Sequence, residues 1–138
     1  MSFVYRENKE ELNKELFEAA EDGDVEKCRR FIEKGADVDA KNVDLSGGSP
    51  AHAAARNGNC EVIRVLAEAG ANLNLEDEFG LTAAMYAALS GHTDTVRVLA
   101  EVGANLNHAN KNDLTATMWA AMFGHSETVK VLAELGKG

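Results

Sequence analysis

Four segments share one spacing of apolar residues: VEKCRRFIEK (25–34), CEVIRVLAEA (60–69), DTVRVLAEV (94–102) and ETVKVLAEL (127–135). In the last three, Val62, Ile63, Val65 and Leu66, then Val96, Val98 and Leu99, then Val129, Val131 and Leu132 recur at i, i+3 and i+4. That spacing predicts one buried stripe on a helix. The opposite face reads acid, base, acid in Glu61, Arg64, Glu68, in Asp94, Arg97, Glu101 and in Glu127, Lys130, Glu134. Such pairs support a solvated helix face by about 0.2–0.5 kcal/mol each and carry no chemistry. Before each of these segments stands a short Ala-rich one: FEAAEDGD (17–24), HAAARNGN (52–59), MYAALSGH (85–92) and MWAAMFGH (118–125). Side chains as small as Ala54-Ala55, Ala87-Ala88 and Ala120-Ala121 predict an inner helix that neighbouring hairpins approach closely. Ser49, Thr82 and Thr115 stand where an N-cap hydroxyl satisfies the first free amides. Gly58, Gly91 and Gly124 stand where a left-handed residue ends each inner helix, as Gly35, Gly70 and Gly103 do for the outer ones.

The pattern is periodic. The strings GADVD (35–39), GANLN (70–74) and GANLN (103–107), with a truncated start at Gly136, place their first glycines 35, 33 and 33 residues apart. The inner segments SPAHAAARNGN (49–59), TAAMYAALSGH (82–92) and TATMWAAMFGH (115–125) follow the T-P-L-H-x-A-A-x-x-G-H pattern of the ankyrin repeat, which this chain resembles over nearly its whole length. The resemblance implies an all-α solenoid of about four helix-turn-helix repeats joined by β-hairpin-like fingers. It implies one domain over 1–138, with an N-terminal capping repeat at about 10–39 and further repeats at about 40–74, 75–107 and 108–138. The first unit lacks the T-P-L-H start and is rich in Glu and Lys, as a polar cap requires.

Several positions depart from the family pattern. Its proline survives only as Pro50, with Ala83 and Ala116 in the other slots. Its histidine survives only as His52, with Met85 and Met118 elsewhere, and its leucine is Ala51, Ala84 and Thr117. The first finger, AKNVDLSGG (40–48), is two residues longer than LEDEFGL (75–81), and the third carries Asp113 where glycine is usual. Leu132 and Leu135 in the last helix resemble internal positions. This fits either a small protein with an imperfect cap or a solenoid from which repeats or another domain have been cut.

Charge and chemistry narrow the function. Lys and Arg total 14 against 23 Asp and Glu, a net charge of −9, and Arg29-Arg30 is the longest basic cluster. No nucleic-acid partner is expected, because backbone tracking needs a basic footprint. The longest uncharged stretch, 114–125, is too short to span a bilayer, and residues 1–8 have neither the basic start nor the apolar run of a leader, so no membrane role is expected. Cys28 and Cys60 lie far apart without a CxxC motif and read as reduced thiols of an intracellular protein, cytoplasmic rather than nuclear. Cys28 falls in the slot of Ile63, Val96 and Val129 and reads as an apolar substitute. The four histidines are scattered, and no HExxH, GxSxG or phosphate-binding glycine loop occurs. We therefore expect no enzyme, no cofactor and no metal.

What the resemblance leaves is surface. Family members bind proteins through finger tips and exposed inner-helix positions, which here are Arg56, Asn57, Leu89, Ser90, Met122 and Phe123 on the helices. On the fingers they are Glu76, Glu78, Phe79, Leu81, Lys111, Asn112 and Leu114. Phe79, Leu81, Leu89, Met122 and Phe123 would form an apolar patch of the kind that marks an interface. Leu81 and Leu114 also fit a role packed under the fingers, and Tyr86 and Trp119 fit the gap between repeats. Glu76, Asp77 and Glu78, with Asp37, Asp39 and Asp44, would rim the patch and steer a partner with a basic edge and an apolar anchor. The reading is a monomeric, noncatalytic protein-binding module. The alternative is a structural or self-assembling repeat fragment of a larger protein.

Overall fold

The computed structural model describes residues 8–136, so the leader reading of residues 1–7 and the last two residues of the final repeat lie outside the described residues. Among the described residues eight α-helices follow one another as α1 (Lys9–Asp22), α2 (Val25–Glu33), α3 (Pro50–Arg56), α4 (Cys60–Glu68), α5 (Ala83–Leu89), α6 (Thr93–Glu101), α7 (Ala116–Met122) and α8 (Ser126–Leu135). They pair as four hairpins. The inner helices α1, α3, α5 and α7 pack in one row and the outer helices α2, α4, α6 and α8 in a second. The all-α repeat architecture is the one the periodicity predicts.

Helices α3, α5 and α7 are short because each starts at a hydroxyl residue, Ser49, Thr82 or Thr115, and stops just before a glycine. Thr82 Oγ1 accepts from the Met85 amide and Thr115 Oγ1 from the Met118 amide, each at 3.3 Å. Gly58, Gly91 and Gly124 adopt φ of +73°, +73° and +77°. A single core runs the length of the stack, with Leu16, Ile63, Leu66 and Leu99 fully buried beside Ala54, Ala55, Ala87 and Ala88. Burial of each large aliphatic side chain is worth about 1.5–3 kcal/mol, and the alanines set the close approach of the helices that makes it possible. Helix α1 buries Leu12, Leu16 and Phe17 and exposes Lys9, Glu10, Glu11, Lys14 and Glu18.

Polar ties register each hairpin on the next. Asn59 Nδ2 donates to the Ala20 carbonyl at 2.9 Å, His92 Nε2 to that of Arg56 at 3.0 Å and His125 Nε2 to that of Leu89 at 2.9 Å. At the far end of the outer helices the Asn72 amide donates to Asp39 Oδ1 at 2.9 Å and the Asn105 amide to Asn74 Oδ1 at 2.8 Å. The histidines after the glycines are thus structural. Cys28 is fully buried, and burial, with Asp24 adding to it, pushes its thiol up to about 11, which suits the apolar role. Cys60 is half-buried, with its Sγ 3.4 Å from Thr95 Oγ1.

The fingers differ from true β-hairpins. Each is closed by one pairing: Asn42 with Gly48, Asp77 with Leu81 and Asn110 with Leu114, and no strand forms among the described residues. The longer first finger folds its extra residues into a 3-10 turn at Val43–Leu45, and the third finger holds Asp113 at φ +60° where the second has Gly80 at +77°.

Candidate functional site

The second finger is built around a buried carboxylate. Asp77 Oδ1 accepts from the amides of Phe79 and Leu81, both at 3.0 Å, and Oδ2 accepts from the Tyr86 hydroxyl. Burial and this hydrogen bond to Asp77 push the Tyr86 hydroxyl far up, so it remains a donor at all ordinary pH. The expected acidic trio is corrected here: Glu76 and Glu78 face solvent, whereas Asp77 is an internal staple. Leu81 is corrected likewise. It is buried, and its carbonyl accepts from His52 Nε2 at 2.8 Å, so it anchors the finger and offers no exposed apolar surface. Leu114, in the same slot of the third finger, is half-buried. Phe79, between the stapled amides, is left 67% exposed at the tip.

The third finger repeats the device with a carboxamide. Asn110 Oδ1 accepts from Asn112 at 2.9 Å and from Leu114 at 3.1 Å, while its Nδ2 donates to the Gly80 carbonyl at 3.2 Å. Lys111 and Asn112 sit exposed at its tip. Neighbouring fingers are joined by the Glu78 amide donating to the Ser46 carbonyl at 2.9 Å and by His108 Nε2 lying 2.8 Å from Glu76 Oε2. The fingers therefore form one continuous edge. On it the first finger presents Val43, 82% exposed beside the exposed Asp44. Val43 was not among the sequence-predicted residues, and the two-residue insertion in its finger was the signal that could have singled it out.

The predicted inner-helix residues divide. Arg56 is half-buried with Nη2 2.9 Å from Glu21 Oε2, and Asn57 Nδ2 donates to the Glu21 carbonyl at 3.1 Å, so both tie α3 to α1. Leu89 and Ser90 are half-buried, and Leu89 packs against the core. Met122 and Phe123 are exposed, with the Phe123 ring 6.2 Å from that of Trp119. Tyr86 fills the space between repeats as expected, its ring edge-on to His52 at 5.7 Å.

His52 has a determined proton state. Its Nδ1 accepts from the Ser49 amide at 3.0 Å and lies 2.8 Å from Ser49 Oγ, so the proton resides on Nε2 and reaches Leu81. Burial lowers its pKa below the ordinary value near 6.5, with Arg56 acting the same way and the Leu81 and Leu75 backbone and Asp77 opposing. A depressed histidine leaves stability intact above the unfolded pKa and subtracts from it as pH falls below, because the unfolded chain then binds the proton more readily. The thermal midpoint of the protein is therefore expected to fall more steeply from pH 7 to 5 than that of His52→Met, which carries the residue of the next two repeats. Parallel slopes in scanning calorimetry would refute this.

Among the described residues no group of three or more His, Cys, Asp and Glu could hold a metal ion, and no helix is long and apolar enough to cross a membrane.

Comparison with known proteins gives two family matches. A model described as ankyrin repeats (3 copies) matches residues 69–138, and one described as ankyrin repeats (many copies) matches residues 16–67. A probable E3 ubiquitin-protein ligase of Oryza sativa subsp. japonica is 34% identical over 70 residues, covering 51% of this chain and 14% of that protein. The chain thus spans about one-seventh of the length of this curated relative.

Proposed function

This chain belongs to the ankyrin-repeat family, and we propose that it is a noncatalytic module that binds a partner protein along its finger edge and the exposed end of its inner helices. Ankyrin repeats are a protein-protein interaction module, so the class of function follows from the family. The observation that carries the finer reading is the pair of apolar tips, Val43 and Phe79, standing out of adjacent fingers that are held by side-chain-to-backbone staples, half-buried Asn42 in the first and buried Asp77 in the second. A preorganised aromatic at an exposed tip buries its area in a partner with little ordering cost. Asp44, Glu76 and Glu78 flank these tips, so the partner carries an apolar anchor and a basic rim. Met122 and Phe123, at the C-terminal end of α7, are further exposed apolar side chains.

The test is capture from lysate with the wild-type chain and with a Val43→Ser, Phe79→Ala variant, followed by titration of the captured protein in purified form. Truncating such an anchor typically costs about 2 kcal/mol or more, so the variant is expected to bind roughly thirtyfold more weakly with an unchanged circular dichroism spectrum. Glu76→Lys with Glu78→Lys is expected to slow association and flatten its salt dependence. Equal affinity of wild type and the apolar variant would remove the finger edge from consideration. Leu89 is left unchanged in this design because it packs on the core.

A further inference from the structure

The second and third fingers are built alike and tied down differently. Two side chains of the inner helices reach the second finger: the Tyr86 hydroxyl donates to Asp77 Oδ2, and His52 Nε2 donates to the Leu81 carbonyl at 2.8 Å. In the third finger both ties are lost by substitution. Met85 stands in the slot of His52 and offers no N–H, and Trp119 stands in the slot of Tyr86. Asn110, in the slot of Asp77, has no acceptor left for an indole, since Oδ1 already takes the Asn112 and Leu114 amides and Nδ2 is itself a donor. Trp119 Nε1 is accordingly buried without a hydrogen-bond partner, the sole such side-chain atom among the described residues.

Two further signs mark the third finger as the looser of the two. Leu81 is 8% exposed, whereas Leu114 in its slot is half-buried. The third finger also turns at Asp113, held at φ +60°, where the second has Gly80. A Cβ in the left-handed region raises the energy of the seated form, and so does a buried donor without an acceptor. Among the described residues the bonds from residues 108–114 to other elements run sideways to the second finger. Asn110 Nδ2 donates to the Gly80 carbonyl at 3.2 Å, and His108 Nε2 lies 2.8 Å from Glu76 Oε2. Both lie along one border, so they form a hinge line and not a clasp onto α7.

We propose that the third finger, residues 108–114, is a flap that lifts from α7 about its border with the second finger while the second finger stays seated. Lifting relaxes the Asp113 backbone and gives Trp119 Nε1 an acceptor in water, so the lifted form lies close in free energy to the seated one. Helix α7 already exposes Met118, 46% exposed, and Met122, with Phe123 just after them, and baring Trp119 joins an indole to that apolar face. The finger edge then has one rigid member, which presents Phe79, and one that yields to the shape of a partner. The flap itself does not rest on the finger-edge reading, because it is measured with no partner present.

Hydrogen exchange followed by NMR on the full chain tests it, because the Leu81 and Leu114 amides make equivalent bonds, to Asp77 Oδ1 at 3.0 Å and to Asn110 Oδ1 at 3.1 Å. The Leu114 amide is expected to be protected at least about tenfold less than that of Leu81, and less than the Ala120 and Leu132 amides inside α7 and α8. Met85→His restores one missing tie, its Nε2 donating to the Leu114 carbonyl as that of His52 does to Leu81, and is expected to raise Leu114 protection about fivefold. This variant leaves Asn110 in place, so it separates the flap from the weaker acceptor that a carboxamide offers. Acrylamide quenching of Trp119, the single tryptophan, is expected to fall in the same variant. Equal protection of Leu81 and Leu114 in the wild type would overturn the proposal, and that comparison needs no substitution. Exchange of Leu114 at the rate of Ala120 and Leu132 would overturn it as well, by assigning the opening to repeat four as a whole. So would a folded Met85→His variant in which Leu114 exchange is unchanged.

Discussion

Replacing Asp77 by Ala is expected to destabilise the protein by about 3–5 kcal/mol, while Asp77→Asn costs about 1 kcal/mol or less. The carboxylate holds three donors in a buried position: the Phe79 and Leu81 amides and the Tyr86 hydroxyl. Removing one partner from a buried hydrogen bond leaves the other to bear its desolvation, about 1–3 kcal/mol each. The three losses are not additive, because the finger relaxes and readmits water, which sets the upper end. Asparagine keeps the Oδ1 acceptor for both amides, and its Nδ2 donates to a Tyr86 hydroxyl that turns to accept. The same chain already uses this solution, since Asn110 Oδ1 accepts the Asn112 and Leu114 amides in the third finger. Urea denaturation followed by circular dichroism measures both variants. An alanine variant within about 1 kcal/mol of wild type would show that the finger closes without its staple. The Ala substitution is also expected to weaken partner binding more than its distance from the tip suggests, because the Phe79 backbone loses its support.

The same residue shows where sequence reading stops. Asp77 lies between Glu76 and Glu78, and composition alone makes all three a solvated acidic run. The distinguishing sign was register: Asp77 and Asn110 share a slot, both short side chains with an acceptor at the same reach, while their neighbours vary freely. The repeat architecture was legible because two periodicities, the apolar stripe and the glycine spacing, recur together and reinforce one another. The ties made by Arg56 and Asn57 were not legible for a different reason. Their partner is Glu21, in the preceding hairpin, and a pairing across that sequence distance leaves no local pattern. Met118 escaped notice because its residue type is ordinary for its slot; Met85 is the same residue and is buried. Its exposure is a property of rank in the stack, which only the three-dimensional arrangement supplies.

Rank in the stack also governs the second large effect. Gly91→Ala is expected to cost about 2–4 kcal/mol, and Gly70→Ala only about 1–2. Both positions lie in the left-handed region, at φ +73° and +90°, where any L side chain costs roughly 1–2 kcal/mol. At Gly70 nothing lies within 4 Å of an added Cβ, so the backbone cost is the whole effect. At Gly91 the Cβ would sit 2.6 Å from His125 Nδ1 and 2.8 Å from Cε1. The ring must swing away, and the bond from His125 Nε2 to the Leu89 carbonyl goes with it, a further 0.5–1.5 kcal/mol or so beyond the clash. Removing the ring should restore part of the loss, so Gly91→Ala combined with His125→Ala is expected to be less destabilised than the sum of the single variants. Because stacked repeats are stabilised by their own folding plus nearest-neighbour interfaces, a weakened third junction releases α7 and α8 first. Trp119, the single tryptophan, sits on α7 and reports that release. In Gly91→Ala its fluorescence is expected to change at lower urea than the helical signal, whereas in Gly70→Ala the two transitions coincide. Equal costs for the two glycines, with coincident transitions in both, would mean that the histidine ties do not couple the repeats.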